Sequence, residues 1–172
     1  MKKGLLNIEK GKSNKTQIMI GHTSRNVEDY VISKGGLTTK VTNPKEETNF
    51  FGYKEIDNNI VTVLLENEGW LKPKKDNPRL CDWLGNIYNG EVFEKKWRNK
   101  FFWSTYTDKQ IESLVVLLNY LCVDLNIDKK FIGHNVRVDG VEKFKGIVTR
   151  SNYSEYFTDL SPAFNFERIK EL

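Results

Sequence analysis

Cysteine is scarce in this 172-residue chain: there are only Cys81 and Cys122, and neither belongs to a C-x-x-C pair. Two such residues cannot make a disulfide framework, which implies synthesis in a reducing compartment. Proline is also scarce, at four residues, and 38% hydrophobic with 29% charged residues excludes collagen-like, mucin-like and disordered chains. Long hydrophobic runs are missing, since the longest aliphatic stretch is Val115–Leu118, so no segment spans a bilayer. The first residues, MKKGLLNIEKGK, carry lysines with no apolar stretch after them, so a secretory signal is not expected and the chain is expected to be made in the cytoplasm. Strong charge of one sign is absent too. The net charge of +4, from 27 basic and 23 acidic residues, is too mild to demand nucleic acid but suits contact with anionic surfaces. The length supports one core, and a single domain over residues 1–172 is expected.

What is present reads as strands alternating with helices. Gln17–Gly21 (QIMIG) is a short buried strand. Asn26 caps a short helix carrying Val27, Tyr30 and Val31 on one face, which Gly35-Gly36 ends. Leu37–Val41 is a further strand, and Ile60–Leu65 (IVTVLL), β-branched and nearly all apolar, is the central one. Asn67–Asn86 reads as loop, and Tyr88-Asn89-Gly90-Glu91 as a tight hairpin turn. Thr107-x-x-Gln110 is a capping box, and Ile111, Leu114, Val115, Leu118, Leu121, Cys122 and Leu125 follow it at helical spacing. Phe131–Gly133 is a short strand, residues 135–158 are weakly patterned, and Phe164–Leu172 closes with a helical turn or two. The expected class is α/β, with a mixed central sheet flanked by helices.

The only two histidines share a context. Ile20-Gly21-His22 and Ile132-Gly133-His134 each run from an apolar strand through Gly to His, where a strand hands over to a loop. Strand ends of this kind are where α/β folds build sites, and a glycine before each imidazole allows close approach to a neighbour or an ion. Two imidazoles and one carboxylate make a three-ligand zinc site with a fourth position open to water; alternatively, each His simply caps its strand. Spacing does not choose the carboxylate among Asp139, Glu142, Glu155 and Asp159.

The order of these blocks resembles the zinc-dependent N-acetylmuramoyl-L-alanine amidases, the type-2 amidase and peptidoglycan-recognition-protein family. QIMIGHTS (17–24) is similar to that family's first strand, and NIVTVLLENEG (59–69) to its central strand ending in Asn-x-Gly. YTDKQIESLVVLLNYL (106–121), FIGH (131–134) and TDLSPAF (158–164) are similar to its Tyr-Thr-x-x-Gln helix, its Gly-His and its Thr-Asp-Pro-Gly-Pro-x-Phe. Each block is short; five in order across residues 17–166 are far more specific. The resemblance implies one Zn²⁺ per chain held by His22, His134 and Asp159, and hydrolysis of the amide between the lactyl group of N-acetylmuramic acid and L-Ala. It also implies a peptidoglycan or muropeptide substrate, with no nucleic-acid or membrane partner and a monomer expected. Lacking a signal, such a chain fits a phage endolysin, a tail-associated enzyme or a recycling enzyme.

Two departures stand out. Relatives often carry Glu three residues before the Asn of Asn-x-Gly, where this chain has Leu64, and Lys or Thr two residues before the third ligand, where it has Phe157. Glu66 lies on the same strand face as Leu64 and is either the base for zinc-bound water or a solvated charge. Thr158 and Arg150 are candidate oxyanion donors or ordinary surface residues. The stretch at about 70–103 is an insertion atypical of the family, rich in aromatics and basic through Lys72, Lys74, Lys75, Lys95, Lys96, Arg98 and Lys100. Most of its aromatics read as a satellite core, with Trp70 as a candidate wall of a substrate groove. The apolar positions 64 and 157 favour an alternative, a peptidoglycan-binding module of the same fold that does not cut.

Overall fold

The computed structural model describes residues 14–23, 29–44, 50–75, 77–170 and 172. Strands β1 (Gln17–Thr23) and β4 (Ile60–Glu66) pair in parallel along their full lengths, from Gln17 opposite Ile60 to Thr23 opposite Glu66. With β2 (Tyr30–Ile32), β3 (Thr38–Lys40) and β9 (Gly146–Thr149) they form a five-stranded sheet in the order β3-β2-β4-β1-β9. β4 is central, as its composition requires: both its faces are covered, so its residues need no polar alternation. Only β3 runs antiparallel, against β2, so the sheet is mixed and the class is α/β as expected.

One face of this sheet presents Ile18, Ile20, Val61, Val63 and Leu65 to helix α2 (Asp108–Asp124), which answers with Ile111, Leu114, Leu118 and Leu121. The capping box starts α2 as its sequence demands: Thr107 Oγ1 accepts the Gln110 N–H, and Gln110 Oε1 accepts the Thr107 N–H, both at 3.1 Å. The other face buries Met19, Leu64 and Val148 beneath Val141, Phe51 and Tyr153. The short helices α1 (Lys54–Asp57) and α3 (Arg150–Tyr153) lead into β4 and out of β9.

A second sheet, antiparallel and in the order β6-β5-β8-β7, is built from β5 (Trp70–Lys74), β6 (Asn77–Cys81), β7 (Val92–Trp97) and β8 (Lys100–Ser104). It coincides with the stretch outside the resemblance. Several local expectations are corrected here. Residues 67–86, expected as loop, contain β5 and β6, whose Lys, Pro and Asn residues carry no apolar alternation because both strands are largely exposed. Tyr88–Glu91 is no hairpin turn, since β6 and β7 lie on opposite edges of the sheet. The tight turn is Arg98-Asn99, with φ of 46° and 60°, between Trp97 and its partner Lys100. Tyr30 and Val31 lie in strand β2 rather than on a helix, while Asn26 and Val27 fall outside the described residues. Phe131–Gly133 reduces to one bridge, Phe131 to Ile147, and β9 emerges from the weakly patterned stretch. The expected closing turn is a 3-10 helix at Phe166–Ile169. Among the described residues no helix is long and apolar enough to cross a membrane.

Candidate functional site

At the carboxyl ends of β1 and β4 lies a cleft of about 290 Å³, lined by His22, Glu68, Trp70, Trp83, Arg150 and Thr158 among others. His22 reaches it as the penultimate residue of β1. Its Nδ1 meets the Tyr106 hydroxyl at 3.2 Å, and that hydroxyl accepts the Ser161 N–H at 3.3 Å. Burial lowers the His22 pKa below the usual histidine value, and this outweighs the opposing pull of the Asp159 carboxylate. Burial likewise pushes the Tyr106 phenol well above its ordinary range, so it stays protonated.

Asp159 sits beside His22. Its Oδ2 accepts the His22 backbone N–H at 3.1 Å, and only 3% of the residue is exposed. Asp139, Glu142 and Glu155, the alternatives that spacing left open, are all exposed, and Asp139 and Glu155 face Arg137 instead. Gly21 is what allows this approach, for a β-carbon there would collide with the Asp159 carboxylate. Gly69 does the same from the other side. It holds φ +73°, and a β-carbon would lie 2.7 Å from His22 Nε2. Asn67 fixes that turn by accepting the Gly69 N–H at 2.8 Å and donating to the Thr105 carbonyl at 2.9 Å, which gives the Asn-x-Gly sequence a physical reason.

His134 is placed differently. Its ring is exposed, and Nδ1 accepts the Val136 N–H at 3.2 Å. Its backbone is nonetheless tied to the same region: Asn152 donates to the His134 carbonyl at 2.9 Å, and Asn135 donates to the Leu160 carbonyl, next to Asp159, at 2.8 Å. Among the described residues no three His, Cys, Asp or Glu side chains converge closely enough to hold a metal ion. The residue types suit zinc; of the three, Asp159 adjoins the His22 backbone, while the His134 ring is exposed.

Trp70 and Thr158 line the cleft. Glu66 does not; its carboxylate accepts the Lys34 N–H at 3.1 Å. Leu64 is buried, and its Cδ2 lies over Gly21 alongside Asp159. Phe157 stacks on the Arg150 guanidinium, with 4.2 Å from Cζ to the ring centre, while Phe50 covers it at 4.5 Å. Arg150 thereby brings a cation to the cleft, 3.9 Å from Asp159 Oδ2. Sequence reasoning passed over Glu68 and Tyr106 as functional groups. Glu68, one residue inside Asn-x-Gly, looked like a spacer, and Tyr106 looked only like the start of a helix block.

No family model and no curated protein sequence matches the chain. Solved structures do. The N-acetylmuramoyl-L-alanine amidase LysC from Clostridium intestinale URNW superposes with a TM-score of 0.54 at 14% identity, over 93% of this chain and 85% of that one. The endolysin N-acetylmuramoyl-L-alanine amidase LysCS from the same organism does so equally well, over 84% of its length. This chain has their fold. Across the amidase-like fold, then, nine-tenths of this sequence is accommodated at an identity too low to carry an activity with it, and the site has to supply that argument.

Proposed function

We propose that this protein is a cell-wall amidase that hydrolyses the N-acetylmuramoyl–L-alanine amide of peptidoglycan. The observation that carries this reading is Asp159, a carboxylate distant in sequence that is buried against the backbone of His22, which itself lines a cleft of the amidase-like fold between the neighbours Thr158 and Glu68. His22, Asp159 and, after rotation of its side chain, His134 are the proposed ligands of one zinc ion. When bound, zinc supplies Lewis-acid polarisation and a water of lowered pKa. The chain's own residues do the remainder. Tyr106 holds the His22 ring through Nδ1, which leaves Nε2 as the ligand atom. Trp70 and Trp83 line the cleft as proposed contacts for a sugar ring, Trp70 with the Lys100 ammonium over its ring. Glu66, the base suggested by the strand pattern, accepts the Lys34 N–H outside the cleft and is given no part in the reaction, while Thr158 lines the cleft as a substrate contact. The cell wall is the proposed place of action, reached by release from the cytoplasm or as part of a phage particle.

Digestion of purified muropeptides tests the activity: new L-Ala amino termini are expected, and bound but uncut glycopeptide would establish the binding-module alternative that Leu64 and Phe157 favour. Metal analysis tests the site. One zinc per chain is expected, lost in His22→Ala and Asp159→Asn and kept in Glu155→Gln; near-stoichiometric zinc in His22→Ala would sink the ligand assignment.

A further inference from the structure

Two residues that line the cleft each carry a buried side-chain atom without any hydrogen-bond partner, Glu68 Oε2 and Arg150 Nε. They are of opposite kind, an acceptor on an acid and a donor on a base. Buried polar atoms are almost always paired, because leaving one unpaired forfeits its hydration without return. Each of these two is also held in place by its neighbours. Glu68 Oε1 is engaged by the Lys34 ammonium, which leaves Oε2 as the free oxygen. The Arg150 guanidinium lies between the rings of Phe50 and Phe157, which steady its plane without using its N–H groups. Its nearest carboxylate, Asp159, is 3.9 Å away and beyond hydrogen-bond reach. Both side chains border the cleft with partial exposure, 29% for Glu68 and 28% for Arg150, while Oε2 and Nε themselves are covered, so a ligand reaches them only by shifting the side chains around them.

A secondary amide carries the matching pair: a carbonyl oxygen that accepts and an N–H that donates. We propose that the cleft is an amide-binding site in which Arg150 Nε–H donates to the carbonyl oxygen and Glu68 Oε2 accepts the N–H. The choice of amide, the one between the lactyl group and L-Ala, rests on the amidase reading; the donor–acceptor pair does not.

The probe is N-acetylmuramoyl-L-alanyl-D-isoglutamine, titrated into the metal-free full-length chain so that turnover does not intervene. The NMR signal of Arg150 Nε–H, assigned by its disappearance in Arg150→Lys, should move saturably. Affinity measured by calorimetry should weaken about 10- to 100-fold in Glu68→Met and in Arg150→Met. Glu68→Gln, which keeps an acceptor oxygen, should weaken it less. Arg150→Lys keeps the cation between the rings but lacks Nε, and it answers for Arg150 if the Met variant unfolds; Glu68→Gln does so for Glu68. Wild-type affinity in folded Met variants or in Arg150→Lys, an unmoved Arg150 signal at saturation, or no binding by the wild type would each overturn the site. Binding with these losses, but no release of L-Ala amino termini by the zinc-loaded chain, would remove the amidase reading and leave the site standing.

Discussion

The two sheets obey different physics. In the five-stranded sheet, β1, β2 and β4 are apolar and nearly all buried, with long-range parallel pairing and a helix over one face. In the four-stranded sheet few side chains are buried, and rings are met by cations: Lys100 Nζ stands 3.7 Å from the Trp70 ring centre and Arg98 Cζ 4.4 Å from that of Trp97. Charge follows the same division. Residues 70–103 hold eight basic and four acidic side chains, a surplus equal to the whole chain's net charge of +4, so the remainder is balanced. The first sheet is stabilised by burial and positions His22; the second is held by hairpin ladders and delivers Trp70 and Trp83 to the cleft. The main buried core and the cleft's two tryptophans are thus lodged in different parts of one chain.

That division can be broken by substitution. The largest loss should come from Leu64→Glu, which sets a second carboxylate beside Asp159 in an apolar wall; an unpaired buried charge costs about 3–5 kcal/mol, read by denaturant unfolding. Next, Leu118→Ala removes a fully buried side chain between α2 and the first sheet, and about 2–5 kcal/mol should go with it.

Arg98→Ala probes the junction. From the tip of the β7–β8 hairpin Arg98 donates to the carbonyls of Phe157, Ser154 and Asn135, so it fastens the second sheet to the segments that precede Asp159 and follow His134. A cost of about 1–3 kcal/mol is expected from the carbonyls left unpaired, with hydrogen exchange rising at residues 154–159 and not in β4. Equal protection in both regions would show that the second sheet does not brace the site. The smallest effect belongs to Phe101→Ala, at a residue 52% exposed on β8, where stability should stay within about 0.5 kcal/mol. A loss there matching that of Leu118→Ala would erase the distinction between the sheets.

The sequence by itself determined whatever depends on neighbours along the chain. The apolar β-branched run 60–65 marked β4 as central, the Thr107–Gln110 box marked the start of α2, and the shared Gly-His steps marked both histidines. Tertiary structure alone decided what depends on partners remote in sequence. β5 and β6 are strands because they pair with each other and β5 with β8, not because their residues favour extension. Likewise β9 exists because it completes the edge beside β1. Asp159 is singled out from three other carboxylates by the backbone of His22, 137 residues away. The same holds for Glu68 and Glu66. Strand alternation made Glu66 the natural candidate, but the turn fixed by Asn67 brings Glu68 to the cleft and leaves Glu66 bonded to Lys34. Local propensity is encoded within a few residues, whereas the direction of a side chain at a strand end is set by whatever the rest of the fold packs against it.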